Sequence, residues 1–134
     1  MVARMTTAVE VADRLYERWN DAGLSVLADS VDPEIELICD PLRPAESVLR
    51  GVSGWQHWVS RWEQRYHDVH VTVDGLVPMD DEHVLAFVSI SATPMGAMSP
   101  LNWAAAHLWT LREGRIAGWE PHLDLAAARR TLDA

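Results

Sequence analysis

The sequence predicts an α+β domain, a cone-shaped, curved antiparallel sheet wrapped around three N-terminal helices. Three observations carry this. Segments with helical spacing crowd into the first half of the chain, and a single alternating segment, Ile35 to Cys39, interrupts them. From Val69 onward, alternation with period two takes over, broken only by clusters of turn formers. Helices followed by a run of strands segregate onto one side of an antiparallel sheet.

Thr7-Ala8-Val9-Glu10 has the spacing of a capping box, with Thr7 as N-cap and Glu10 reaching back. Ala8, Ala12, Leu15, Tyr16 and Trp19 then share one helical face, and Asn20-Asp21-Ala22-Gly23 ends the helix. A short second helix is predicted over Leu24 to Asp29, with a turn at Val31-Asp32-Pro33. In the strand that follows, Ile35, Leu37 and Cys39 point one way and Glu36, Ile38 and Asp40 the other. Asp40-Pro41 to Leu49 reads as an irregular loop. Ser53-Gly54-Trp55-Gln56 reads as a second capping box, opening a helix whose Trp55, Trp58, Trp62 and Tyr66 form an aromatic stripe.

Val69, Val71 and Val73 alternate with polar residues up to a turn at Asp80-Asp81-Glu82. Val84, Ala86, Val88, Ile90 and Ala92 form the next strand, and a loop follows from Pro94 to Pro100. Trp103, Ala105, His107, Trp109 and Leu111 share a face of the strand after it. Arg112-Glu113-Gly114 is a hairpin turn, Arg115 to His122 the last strand, and Asp124 to Leu132 a closing helix. The two long hairpins suggest one strongly bent sheet, closed on one side by helices around an apolar hollow.

With 134 residues the chain suits a single domain spanning residues 1–134. A net charge of −9 disfavours nucleic acid and anionic membrane surfaces, both of which are bound through Lys and Arg. No apolar run approaches membrane-spanning length, and the N-terminus lacks the apolar core of a signal peptide, so a cytoplasmic location is expected. The lone Cys39 excludes an internal disulfide. Seven tryptophans among so few residues suit either a bulky core or an apolar, ligand-holding pocket.

Four stretches together resemble a known family: Trp19 to Gly23, Ile38 to Pro41, Arg50 to Trp55, and His107 to Ile116 running on into His122-Leu123-Asp124. From about Thr7 to Leu132 the chain is similar to the nuclear transport factor two-like superfamily, and within it to SnoaL-like domains. The resemblance implies a cystatin-like α+β barrel, a pocket between sheet and helices, and a homodimer formed through the sheet. The superfamily includes ketosteroid isomerase, polyketide cyclases, limonene-type epoxide hydrolases, dehydratases and non-catalytic binding domains, so the fold alone does not assign an activity.

The resemblance places Asp40 where ketosteroid isomerase has its general base, Tyr16 at its oxyanion-hole tyrosine, and His107 where it has a protonated aspartic acid. A partly desolvated carboxylate can move a proton between carbons, while buried phenol and imidazole groups can polarise a carbonyl oxygen. Each residue also has a plain structural reading: Asp40 as a turn former, Tyr16 and His107 as satisfied core residues. Trp103, Trp109 and Trp58 are assigned to the walls that grip a flat ligand. Asp124 is assigned to the same site, as an acid–base group of the kind related cyclases carry or as the N-cap of the closing helix.

Limonene-type hydrolases need an Arg and an Asp two apart on the middle strand. Val84 to Ser91 holds no such pair. His67 and His70 lack a third ligand, so no metal is expected, and no cofactor. Two functions fit. The first is a cofactor-free acid–base enzyme acting on a small hydrophobic carbonyl compound, as isomerase, cyclase or dehydratase. The alternative is a non-catalytic ligand-binding or dimeric accessory domain.

Overall fold

The computed structural model describes residues 7–40, 42–124, 126, 128 and 130. Helix α1 (Ala8–Ala22) starts at its sequence signal, where Thr7 Oγ1 accepts the Glu10 N–H at 3.2 Å. It ends at Gly23, whose φ of 92° only glycine adopts easily and whose N–H returns to the Trp19 carbonyl. Its buried residues are Ala12, Leu15, Tyr16 and Trp19. A 3₁₀ helix over Leu24–Ser30 stands where the short second helix was expected.

The next segments are more regular than the sequence suggested. Strand β1 (Val31–Ile38) takes in Asp32-Pro33, which had read as a turn. The register of this strand shifts between Val31 and Glu36, so Pro33 occupies an irregular stretch where its missing N–H breaks no regular ladder. The supposed loop after Asp40 contains a one-turn helix, α2 (Pro44–Ser47), and a short strand, β2 (Val48–Arg50), antiparallel to β1. Pro41 lies outside the described residues.

Helix α3 (Gly51–Arg65) begins ahead of the supposed second capping box, and no side chain caps it. Gly51, at φ 71°, makes the sharp exit from β2. At Gly54 a Cβ would stand 2.8 Å from the Leu49 carbonyl carbon, so glycine permits helix and strand to meet this closely.

The remaining strands form a meander: β3 (Tyr66–Pro78), β4 (His83–Pro94), β5 (Leu101–Arg112) and β6 (Arg115–His122). Glu113 and Gly114, both at positive φ, make the tight turn between β5 and β6. The sheet order is β2-β1-β6-β5-β4-β3. This is the expected α+β layout, a curved sheet over N-terminal helices, with two particulars of its own. β1 runs parallel to β6, and the edges β2 and β3 stay at opposite ends of the order, so the curved sheet is open.

One face of this sheet packs against α1 and α3 to form the main core, rich in aromatic side chains. The opposite face carries a smaller cluster of Leu85, Ala106 and Ala128, with Met79, Phe87 and Leu108 around it. Ala126, Ala128 and Arg130 are helical, and the rest of the expected closing helix after Asp124 lies outside the described residues. Among the described residues no helix is long and apolar enough to cross a membrane.

Candidate active site

A cavity of about 830 Å³ opens between α3 and the ends of β1, β5 and β6. Its walls are aromatic: Trp58 and Trp62 from α3, Tyr66 at the start of β3, Trp103 from β5 and Trp119 from β6. Trp62 stacks on Trp103 at 6.4 Å and tilts against Tyr66 at 5.4 Å, while Trp58 and Trp119 meet at 4.5 Å. Polar groups reach it as well. Asp40, Arg61, Arg65, His122 and Asp124 line its more exposed parts, and His107 lines it from the buried side.

Behind His107 lies a chain of hydrogen bonds through the core. Trp109 Nε1–H donates to the Tyr16 hydroxyl oxygen at 2.8 Å, and that hydroxyl lies 2.7 Å from His107 Nδ1. An indole nitrogen can only donate, so the Tyr16 oxygen is an acceptor on the Trp109 side. Among the described residues the phenol proton then has one acceptor in reach, His107 Nδ1, and leaving it unpaired in this buried setting would be costly. Nδ1 is therefore the accepting nitrogen, and the neutral ring carries its proton on Nε2.

Burial supports that protonation state. His107 is 2% exposed. Desolvation, with a smaller contribution from the charge of His122, pushes its pKa from 6.5 down to about 3. Burial likewise raises the Tyr16 phenol far above the ordinary tyrosine range, against a lesser opposing effect of the Trp109 hydrogen bond. The result is a neutral donor–acceptor relay at neutral pH, with His107 the member that lines the cavity. Its Nε2 has no hydrogen-bond partner among the described residues.

Asp40 sits in a looser environment. Its carboxylate accepts the Leu42 N–H at 3.0 Å, a turn-type hydrogen bond. Its backbone is held by Ser47: the Asp40 N–H donates to Ser47 Oγ at 2.9 Å, and that hydroxyl donates to the Asp40 carbonyl at 3.0 Å. Residue 40 is thus anchored by a serine seven positions on, which the motif Asp40-Pro41 does not reveal. Its neighbour Cys39 is half-buried, and desolvation raises its thiol pKa against a smaller opposing effect of Arg61.

Of the residues singled out in the sequence, Asp40, His107, Trp58, Trp103 and Asp124 line the cavity. Tyr16 and Trp109 do not; they stand behind His107, joined to it as described. Trp109 shares the strand face of His107 but is fully buried against Tyr16, so it cannot grip a ligand as supposed. The Tyr16 hydroxyl gives its only proton to His107.

Sequence reading overlooked Trp119, Arg61 and Arg65. The arginines had a detectable signal: Trp58, Arg61, Trp62 and Arg65 lie at i, i+3, i+4 and i+7 on one helical stripe. Among the described residues no group of three or more His, Cys, Asp or Glu could hold a metal ion, and His67 pairs instead with Asp68 at 2.9 Å.

An open, curved sheet over N-terminal helices, with a cavity between them, defines a class of small α+β domains. Within that class the chain belongs to the SnoaL-like domain family, whose model matches residues 12–119. No curated protein matches it in sequence. Among solved structures, an NTF2-like protein of unknown function from Burkholderia pseudomallei is 14% identical with a TM-score of 0.74, over 97% of this chain and 100% of that one. A Catenulispora acidiphila protein with a ketosteroid isomerase-like fold, in complex with trimethylamine, is 18% identical with a TM-score of 0.70, over 87% and 86% of the two chains. A SnoaL-like polyketide cyclase from Agrobacterium tumefaciens is 18% identical with a TM-score of 0.68, over 96% and 99%. At these identities the likeness is one of fold.

Proposed function

We propose that this SnoaL-like domain is a cofactor-free acid–base enzyme acting on a small hydrophobic carbonyl compound, as an isomerase, cyclase or dehydratase does. Asp40 is the base that removes a proton from the carbon beside the carbonyl. As the carbonyl becomes an enolate, its oxygen gains charge and takes a hydrogen bond from His107 Nε2–H. The protonated Asp40 then returns its proton to carbon, or the enolate carries the reaction onward. Trp58, Trp62 and Trp103 provide the apolar walls.

The observation that carries this reading is the Trp109–Tyr16–His107 relay, which leaves a neutral N–H donor on the cavity side of His107. A donor held in place before the reaction stabilises developing charge without reorganising. The test is exchange of α-protons for solvent deuterium in a panel of small cyclic ketones, followed by NMR. Wild type should catalyse exchange in the ketones it binds, and Asp40→Asn should lose at least about 100-fold, the low end for a general base. Ketones that bind without exchange, or exchange indifferent to Asp40, would defeat the reading.

A specific observation favours a second one. The Leu42 N–H already occupies the Asp40 carboxylate, as in a plain turn. In a non-catalytic ligand-binding domain the Asn variant would bind as well as wild type and the exchange would be absent from both. In either case the proposed partners are a small hydrophobic molecule and a second copy of the chain, the latter checked by sedimentation equilibrium.

A further inference from the structure

The chain carries 20 acidic residues against 11 basic ones, so carboxylates to pair with an arginine are plentiful. Arg18, Arg43, Arg50 and Arg112 each hold one within ion-pair distance. Arg61 and Arg65 do not. Among the described residues neither side chain makes an ion pair or a hydrogen bond, although both line the cavity. Asp40 and Asp124 share that cavity, yet neither comes within ion-pair distance of these arginines. The Asp40 carboxylate bonds the Leu42 N–H instead.

The helix sets the two arginines side by side. They are four residues apart on α3, on the stripe that carries Trp58 and Trp62 into the same cavity. Side chains so spaced are neighbours, and two like charges there repel. The charge of Arg61 reaches the cavity wall, where it opposes the effect of desolvation on the Cys39 thiol. Arg65 stands in the last turn of α3, and its carbonyl accepts the Met95 N–H at 2.8 Å, tying the helix end to the loop after β4. Both arginines are exposed, which leaves them open to a ligand at the cavity mouth.

We propose that Arg61 and Arg65 form an anion subsite at the mouth of the cavity, and that the ligand is an organic acid whose carboxylate lies between them while its apolar body runs inward along Trp58 and Trp62. The ligand class follows from the donors. A guanidinium is planar, stays charged and offers paired N–H donors that match the two oxygens of a carboxylate. One shared anion gives both arginines an acceptor and relieves the repulsion between them. A chain of net charge −9 disfavours an anion elsewhere, so the pair also orients the ligand, acid end outward. The inference rests on the cavity being the ligand site, as proposed above, and adds an acid group to the carbonyl compound: a hydrophobic keto acid.

Titration calorimetry near pH 7.5 compares 2-naphthoate with 2-naphthamide, the same ring and shape without the charge, on wild type and on the double variant Arg61→Gln/Arg65→Gln. Glutamine is a good helix former and removes both charges. An exposed ion pair contributes up to about fivefold, so two should give wild type a preference for the carboxylate of about tenfold. The double variant should bring the two ligands within about twofold of each other, by weakening 2-naphthoate alone. Equal binding of both ligands by wild type, or a carboxylate preference that survives in the double variant, would overturn the subsite and leave the apolar cavity standing. Binding of neither ligand would overturn the cavity reading and the subsite together.

Salt provides a check on the unmutated protein. Raising it from about 0.05 M to about 0.5 M screens exposed charges, so the carboxylate preference should shrink while 2-naphthamide binding does not weaken. A preference indifferent to salt would refute a charged subsite.

Discussion

The two polar ends of the cavity are built in opposite ways. On the His107 side, three side chains from a helix and a strand are buried together, and each hydrogen bond dictates the next. On the Asp40 side, the carboxylate stands at a strand end, half-exposed, held through backbone contacts to Ser47 and one turn hydrogen bond. Burial fixes the tautomer of His107, whereas the Asp40 carboxylate stays open to a ligand. The proton transfer proposed above needs both: a donor that does not reorganise and a carboxylate within reach of the ligand.

The comparison predicts that damage at the buried end appears mainly as lost stability. Tyr16→Phe removes the acceptor for Trp109 and the donor for His107 in one step. Leaving those buried groups unpaired should cost about 3 kcal/mol, read as a lower urea midpoint at unchanged slope.

Acid should attack the same end next. His107 is charged below pH 6.5 when unfolded but only near 3 when folded. Between those values the unfolded chain binds the extra proton, so stability falls as pH drops, by up to about 1.4 kcal/mol per pH unit. Urea melts from pH 6.5 to 4.5 should show this slope in wild type. His107→Gln, which still offers the Tyr16 hydroxyl an acceptor, should flatten it.

At the Asp40 end, Ser47→Ala breaks both serine contacts to residue 40 and should cost about 1 kcal/mol. Asp40→Asn retains an oxygen for the Leu42 N–H and should change stability by less than about 0.5 kcal/mol, although the proposed chemistry is lost with it. A large stability loss in Asp40→Asn would mean that the carboxylate is structural, and the contrast between the two ends would collapse.

Much of the fold was legible because period and punctuation change together along the chain. Thr7 marks the start of α1 and Gly23 its end, and the β5–β6 hairpin turns at Glu113-Gly114 as expected. What escaped were features set by pairing. Pro33 reads as a breaker and is tolerated inside β1 because the register there is irregular. Val48-Leu49-Arg50 is too short for alternation to show, and only its antiparallel partners on β1 define it as a strand.

The site divided along the same line. Alternation correctly put His107 and Trp109 on one face of β5, but alternation carries no information about depth. His107 lines the cavity and Trp109 is sealed behind it because α1 brings Tyr16 against both. Trp119 escaped because its meeting with His107 depends on the β5–β6 register, which a bulge between Thr110 and Leu111 sets.

The central claim, that the buried relay holds His107 as a neutral Nε2–H donor, has a direct test. Long-range ¹H–¹⁵N correlation of the histidine rings reports which nitrogen carries the proton. The relay predicts a protonated Nε2 and a bare Nδ1 for His107, unchanged from pH 8 to pH 5. A proton on Nδ1, or a His107 ring that titrates near 6.5, would contradict it.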